Sequence, residues 1–453
     1  MNRRDKYQTI IRFTIVLIAL LLGIAAAYGQ DAAPQQPAVD EKTQTTIIDS
    51  VTAALNDVYV FPDVAKKMEQ LVRNNLKEGK YKKIKLLPDF IAQLTGDLQS
   101  VSHDRHLHLE MPRSQDQNGA PALTPDEERK RQLEQLRKDN YGFRKVEILP
   151  GNVGYIDFRY FAETSFGDPA TTAIAAMNFL AHTDAIIFDL RQNGGGSPSM
   201  IQLISSYLFE EPVHLNTFYI RKTDETQQFW TQGHVVGPKM TEVPVYVLTS
   251  SATFSGAEEF TYNLKNLKRG TIIGEVTGGG AHPVNIQDFP TLHISLSLPY
   301  GRAINPITKT NWEGTGVTPD INVPADQALT VARIEALKKI LEKEQNPTRK
   351  EQLAWAMKSL DVEKNPVTLD AKMLASFEGS FGPRRIFLEN SSLYYQRESR
   401  PKFLLVPMGD DTFQLVGLDN FRIRFNRGTG GEVTELVGMY DDGRTDVNPR
   451  SNK

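Results

Sequence analysis

Two short runs constrain this chain most: AIIFDL at 185–190 and VPVYVL at 243–248. Each is apolar on successive residues, with Asp189 the one charge, so a strand built from either can leave neither face to water. Each is followed by a stretch with helical spacing, PSMIQLISSYLF at 198–209 and AEEFTYNLKNL at 257–267. The alternation continues outward: VGYIDFRYF at 153–161 reads as a strand, TTAIAAMNFLAH at 171–182 as a helix and TIIG at 271–274 as a strand. Strands covered on both sides and separated by helices need crossover connections. The region 141–325 is therefore expected to be an α/β domain with a largely parallel central sheet.

At 453 residues the chain is long enough for further domains. Within 43–112 apolar residues fall at helical spacing, as in Ile47, Val51, Leu55 and Val58, then Val64, Met68, Leu71 and Val72, then Phe90, Leu94 and Leu98. This predicts an N-terminal helical domain. A polar connector at 113–140 follows, where TPDEERKRQLEQLRK carries a capping box (Thr124, Glu127) and the mixed charge of a solvated helix. A helical connector is expected at 326–369. Beyond it, 370–453 reads as a small antiparallel β domain, with turn signals between short runs and Phe421, Ile423 and Phe425 alternating with arginines.

The N-terminus has its own layout: Arg3, Arg4 and Lys6, an apolar run from Phe13 to Ala27, then small and polar residues. This is the pattern of a secretory signal peptide over 1–29, leading into a linker at 30–42. The expectation is export, to a bacterial periplasm or cell envelope, with membrane contact only if the segment stays uncleaved. A net charge of −3 offers no basic excess for nucleic acid. The absence of cysteine excludes disulfides, thiolate zinc sites and a cysteine nucleophile.

Three motifs carry possible chemistry. In TSSATFSGAEEF (249–260) Ser255 falls at the turn from an apolar strand into a helix, where open α/β sheets gather their reactive groups. Ser255 reads either as a helix cap paired with Glu258, the commoner use of such a serine, or as a nucleophile, and local sequence alone does not decide between them. In DLRQNGGGSPS (189–199) three glycines end a buried strand; they fit either a flexible turn or a set of close-approaching amides that could hold an oxyanion. In SVSHDRHLHLEM (100–111), His103, His106 and His108 stand near Asp104. No H-E-x-x-H helix accompanies them, so a metal site is not expected, and one histidine serving as general base is the better use. Glu258 and Glu259 project from different helix faces and are not expected to form an acid/base pair.

In order along the chain, FDLR with its glycine turn, SGAEEF, GEVTGGG at 274–280 and GTGVTPD at 314–320 resemble the tail-specific or C-terminal-processing serine peptidases. The resemblance spans about 45–325 and implies a ClpP/crotonase-like α/β fold with no cofactor. It implies Ser255 as nucleophile, and oxyanion amides from Gly256 and from Gly194 and Gly195. One feature departs from the processing enzymes, whose serine works with a lysine: Gly280 stands at that position. The chain is more similar to the branch containing interphotoreceptor retinoid-binding protein modules and the tricorn-type core, where a histidine and a glutamate serve the serine. That branch's motifs match His106 in DRHL and Glu313 in NWEGTGVTPD. His282, in GGGAHP, is a rival base.

Two functions from different classes follow. The first is an exported serine endopeptidase that cleaves peptides or unfolded proteins through Ser255, with His106 as base and Glu313 orienting it. The second is a non-catalytic module of the same fold that binds a hydrophobic ligand. An esterase using the same serine shares the acyl-transfer chemistry of the first.

Overall fold

A computed structural model describes residues 37–111 and 124–451. The expected signal peptide and most of the expected linker lie outside these residues. Among the described residues, no helix is long and apolar enough to cross a membrane.

The N-terminal part comprises α1 (Glu41–Val58), α2 (Pro62–Lys77), α3 (Leu87–Ser102) and a short strand, β1 (His108–Glu110). Asp40 caps α1 by accepting from Thr43 N at 2.7 Å, and Val39 is already buried in the helical core, so order begins inside the stretch expected to be linker. The helices bury one stripe each, including Ile47, Val51 and Leu55, then Met68 and Val72, then Phe90, Leu94 and Leu98.

The middle of the chain runs α4 (Pro125–Lys138), β2 (Phe143–Leu149), β3 (Val153–Phe158), α5 (Pro169–Phe179), β4 (Ala185–Asp189) and α6 (Pro198–Ser206). It continues through a hairpin of β5 (His214–Ile220) and β6 (Glu225–Trp230) to β7 (Val245–Thr249), α7 (Gly256–Asn266) and β8 (Gly270–Gly274). Next come β9 (Val284–Phe289), β10 (Ile294–Pro299), β11 (Gly301–Ile304) and β12 (Ile321–Asn322). The central sheet has the order β12-β8-β7-β4-β3-β2 and is parallel except for the β2–β3 pair. Every residue of β4 and β7 is buried.

The period-2 geometry of a strand sorts those residues into two cores. Ile186, Phe188, Val245 and Val247 face α5, α6 and α7, meeting Met177, Ile201, Ala257 and Phe260. Ala185, Ile187, Tyr246 and Leu248 face the other way, onto α8 (Ala328–Lys343) and α9 (Pro347–Lys364). The segment expected at 326–369 as a connector is thus the second helical layer of the sheet. Its sheet-facing stripe is Ala328, Ala332 and Ala336, all fully buried; small side chains let the helix approach closely but give a weak amphipathic signal. Replacing Ala332 by leucine overfills this seam and should cost about 1–3 kcal/mol, read as a lowered urea midpoint with unchanged slope.

The helical part does not close its own core. Strand β10 pairs antiparallel with β1, His108 opposite Ser297, and lays Ile294, Leu296 and Leu298 against α1–α3. A hairpin from the α/β region thereby completes the N-terminal layer.

The C-terminal part follows α10 (Ala371–Ser376). Its strands are β13 (Gly379–Phe381), β14 (Arg384–Glu389), β15 (Ser392–Arg397), β16 (Phe403–Gly409), β17 (Thr412–Leu415), β18 (Leu418–Arg427), β19 (Val433–Tyr440) and β20 (Thr445–Pro449). They pair antiparallel in sequential order, and a bridge between Phe381 and Arg450 brings the two edges together into a near-barrel. Phe377, Phe381, Phe413 and Phe425 fill it. Arg422 stacks 3.8 Å above the Trp355 ring and donates to Ser359 Oγ, fixing the near-barrel to α9.

Candidate active site

Ser255 stands between β7 and α7 with φ 54° and ψ −122°, a backbone conformation that costs a non-glycine residue of order 1–3 kcal/mol. Its N–H donates to Glu258 Oε2 at 2.9 Å, but its side chain makes no capping hydrogen bond. The expected capping-box arrangement of Ser255 with Glu258 is therefore present, its hydrogen bond running from the Ser255 N–H to Glu258 and none running from a helix N–H to the hydroxyl. Ser255 instead lines a cavity of about 650 Å³, together with His106, His282, Phe254 and Gly196.

Glu258 braces the turn from beneath. Its buried carboxylate also accepts from Gly279 N at 2.7 Å, Gly280 N at 2.8 Å and Thr277 Oγ1, tying the GEVTGGG loop to the start of α7. Burial pushes this carboxyl up, against the pull of those donors. Glu259 points elsewhere, as its place on a different helix face requires.

The glycine turn interlocks with the serine turn. Phe254 N donates to Asn193 O at 3.1 Å. Gly195 has φ 105°, and a Cβ there would lie 2.7 Å from Gly256 N, Phe254 O and Ser255 Cβ. Two of the three expected oxyanion amides are nevertheless engaged: Gly194 N donates to Arg159 O at 3.0 Å and Gly195 N to Asn193 Oδ1 at 2.9 Å. Of the glycine amides beside Ser255, those of Gly196 and Gly256 have no protein acceptor. The sequence identified the turn but not which of its N–H groups is free, because that depends on how Asn193 folds back.

His103 ends α3 in the left-handed conformation and is exposed. The tight turn after it carries His106 inward to 7 % exposure. The His106 ring lies 4.6 Å from the Phe254 ring, and its Nδ1 has no hydrogen-bond partner. Burial, opposed by nearby Asp104, lowers its pKa to about 4, so the ring is neutral at pH 7. Gly280 is what leaves room for it: a Cβ there would sit 2.6 Å from His106 Cε1 and 2.3 Å from Phe254 Cζ. If the site hydrolyses an acyl substrate, substituting Gly280 by alanine should cut kcat/KM by on the order of 10–100-fold through displacement of the imidazole, with a smaller loss of melting temperature; an unchanged kcat/KM would show that the ring's place is irrelevant.

Glu313 does not meet His106. Its Oε2 accepts from Ala281 N and lies 3.5 Å from His282 Nδ1. That same Nδ1 is 2.7 Å from Asp104 Oδ2. The expected pairing of Glu313 with His106 is thus replaced by a buried Asp104–His282–Glu313 group, because the 278–283 loop inserts His282 between the two acids. The carboxylates raise His282 against the lowering effect of burial, and burial pushes Glu313 up to about 7. The ligating atoms of this group lie within 4.8 Å of one another, and a cation there would have to displace the Asp104–His282 hydrogen bond.

Asp104 is the residue whose importance the sequence understated. Its Oδ1 accepts from His106 N at 3.0 Å, and its Oδ2 accepts from Tyr59 OH at 3.2 Å as well as meeting His282. It was visible only as the acid of the DRHL motif. One carboxylate from the helical layer thus holds the backbone of one histidine and the ring of the other.

Two family models match successive parts of the chain. A model of peptidase family S41 matches residues 152–323, and a model of the N-terminal domain of peptidase S41 in eukaryotic IRBP matches 39–150. Among solved structures, the chain is similar to a photosystem II D1 C-terminal processing protease (15% identity, TM-score 0.40), covering 62% of this chain and 94% of that one. It is also similar to a lipoprotein from Streptococcus agalactiae (14% identity, TM-score 0.43, 68% and 99%). The tricorn protease is a third, at 12% identity and TM-score 0.39, covering 71% and 37%.

Proposed function

The chain belongs to peptidase family S41 with an IRBP-type N-terminal domain, and from that premise we propose that it hydrolyses peptide bonds with Ser255 as nucleophile. The observation that carries this reading is the state of Ser255: strained in its backbone and set in a cavity beside two imidazoles and the amides of Gly196 and Gly256, which have no acceptor. Capping demands none of that.

In the proposed mechanism Ser255 Oγ attacks the carbonyl carbon of a bound peptide while the His106 imidazole takes its proton. The N–H groups of Gly196 and Gly256 hold the oxyanion of the tetrahedral intermediate. Collapse breaks the C–N bond, the imidazolium returns its proton to the leaving amine, and water then releases the acyl group by the same steps. His106 is favoured because it is neutral and fills the space beside Gly280. Peptides and unfolded proteins are the proposed substrates, and export is proposed from the N-terminal sequence.

His282 is the second reading for the base, favoured by one observation: its Nδ1 is held by Asp104 and Glu313, as a triad base is held by its acid. The pH profile separates the two. A base works only when deprotonated, so kcat/KM rises with pH through the pKa of whichever imidazole serves. With His106 the rise centres near pH 4 and activity is flat above about pH 5; with His282 it centres above 6.5.

The direct test is labelling of the purified full chain with a fluorophosphonate, the adduct located by mass spectrometry. An adduct on Ser255 that His106→Ala abolishes and His282→Ala does not supports the primary reading, and the reverse moves the base to His282. A folded protein that takes no label supports the hydrophobic-ligand module instead.

A further inference from the structure

We propose that Glu259 forms the floor of the subsite receiving the side chain on the acyl side of the scissile bond, and that this subsite selects lysine or arginine. The inference rests on the reading of Ser255 as nucleophile.

Glu259 follows Ser255 by one turn of α7. Residues four apart share a helix face with Cβ atoms about 5–6 Å apart, and helical side chains lean toward the N-terminus, here the Ser255 end. That span is one a lysine or arginine side chain covers from a carbonyl bonded to Ser255 Oγ. Glu259 is 3 % exposed yet lines the same cavity as Ser255.

Its surroundings are incomplete. Among the described residues, Glu259 Oε1 has no hydrogen-bond partner, and neither do Asn216 Nδ2, Asn263 Nδ2 or Asn263 Oδ1. Native interiors leave few polar atoms in that condition, and the two oxygens among them, Glu259 Oε1 and Asn263 Oδ1, are acceptors that an incoming donor would satisfy. Burial pushes the Glu259 carboxyl up to about 7, against the hydrogen-bonding pull of the neutral side chains of Asn216 and Asn263, so the group has donors beside it but no charged partner. An incoming cation would restore the carboxylate and satisfy the orphaned oxygen. Glu163, the other carboxylate lining the cavity, is already committed to Ser165, Ser197 and Ser199. Phe218, Phe229 and Trp312 supply aromatic walls for the methylene stem and the charged head.

The test uses matched peptidyl diphenyl phosphonates carrying lysine, norleucine or glutamate side chains next to phosphorus. Ser255 Oγ bonds to phosphorus, phenoxide departs, and the serine proton passes to the base; intact mass follows the rate. The lysine reagent should react at least about tenfold faster than norleucine, with glutamate slowest. Glu259→Gln should bring the lysine and norleucine rates within about threefold of each other. A smaller wild-type preference overturns the proposal, as does a preference that survives in Glu259→Gln. If Ser255 takes a fluorophosphonate while the lysine reagent shows no advantage, only the subsite assignment falls. No adduct with either class removes the nucleophile reading as well. The wild-type comparison stands even if Glu259→Gln fails to fold.

Discussion

Replacing Ser255 by glycine is expected to abolish turnover, by on the order of 10⁴-fold or more, while making the protein more stable. The activity loss follows from removing the proposed nucleophile. The stability gain follows from the backbone: at φ 54° and ψ −122° a side chain is strained, and the hydroxyl makes no capping bond to offset that. Relief of about 1–3 kcal/mol of strain, less about 0.5–1 kcal/mol for the added freedom of glycine in the unfolded chain, leaves a gain of about 1 kcal/mol. Ser255→Ala should be as inactive but no more stable, because alanine keeps the strain. The comparison needs peptide hydrolysis assays and denaturant melts of the three proteins. A glycine variant that is less stable than wild type would show that the Ser255 side chain supports the fold after all.

Asp104→Ala is expected to damage both activity and stability. The carboxylate meets Tyr59 OH, His106 N and His282 Nδ1, and all three residues are buried. Leaving buried polar groups unpaired costs about 1–3 kcal/mol each, so a total of about 3–5 kcal/mol is expected after partial relaxation. Activity should fall by on the order of 10²–10³-fold whichever imidazole is the base, since both lose their anchor. Asp104→Asn keeps one accepting oxygen and should recover part of the stability. Unchanged melting and kcat/KM in the alanine variant would remove Asp104 from the site.

The legible parts of this molecule were those in which local sequence answers to one environment. β4 and β7 were readable because both their faces are covered, so every residue is apolar. The Ser255 turn and the glycine turn were readable because strand, turn and helix are contiguous there. α8 was legible as a helix but not as a layer of the sheet, because Ala328, Ala332 and Ala336 lead its buried face and carry little hydrophobic signal. The closure of the helical core by β10 joins residues nearly two hundred positions apart, and no local pattern announces it. The same holds for the imidazoles: sequence placed His106 and His282 as rivals, but which carboxylate reaches which ring is decided where separate segments meet. Gly194 and Gly195 are the oxyanion donors that the family resemblance implies, while in the structure the Asn193 side chain already takes the Gly195 amide.

The seam between β1 and β10 also sets a timetable. While the chain is being synthesised, α1–α3 emerge early with an apolar face that stays uncovered until Ile294, Leu296 and Leu298 arrive. His106 is likewise made long before Ser255 and His282. Contacts between such distant segments form late and slowly, so the growing chain passes through most of its length with its reactive groups scattered. Assembly of the cleft thus waits on segments as far along as His282 and Glu313, and a chain that stops short of them lacks the groups on which the proposed hydrolysis depends.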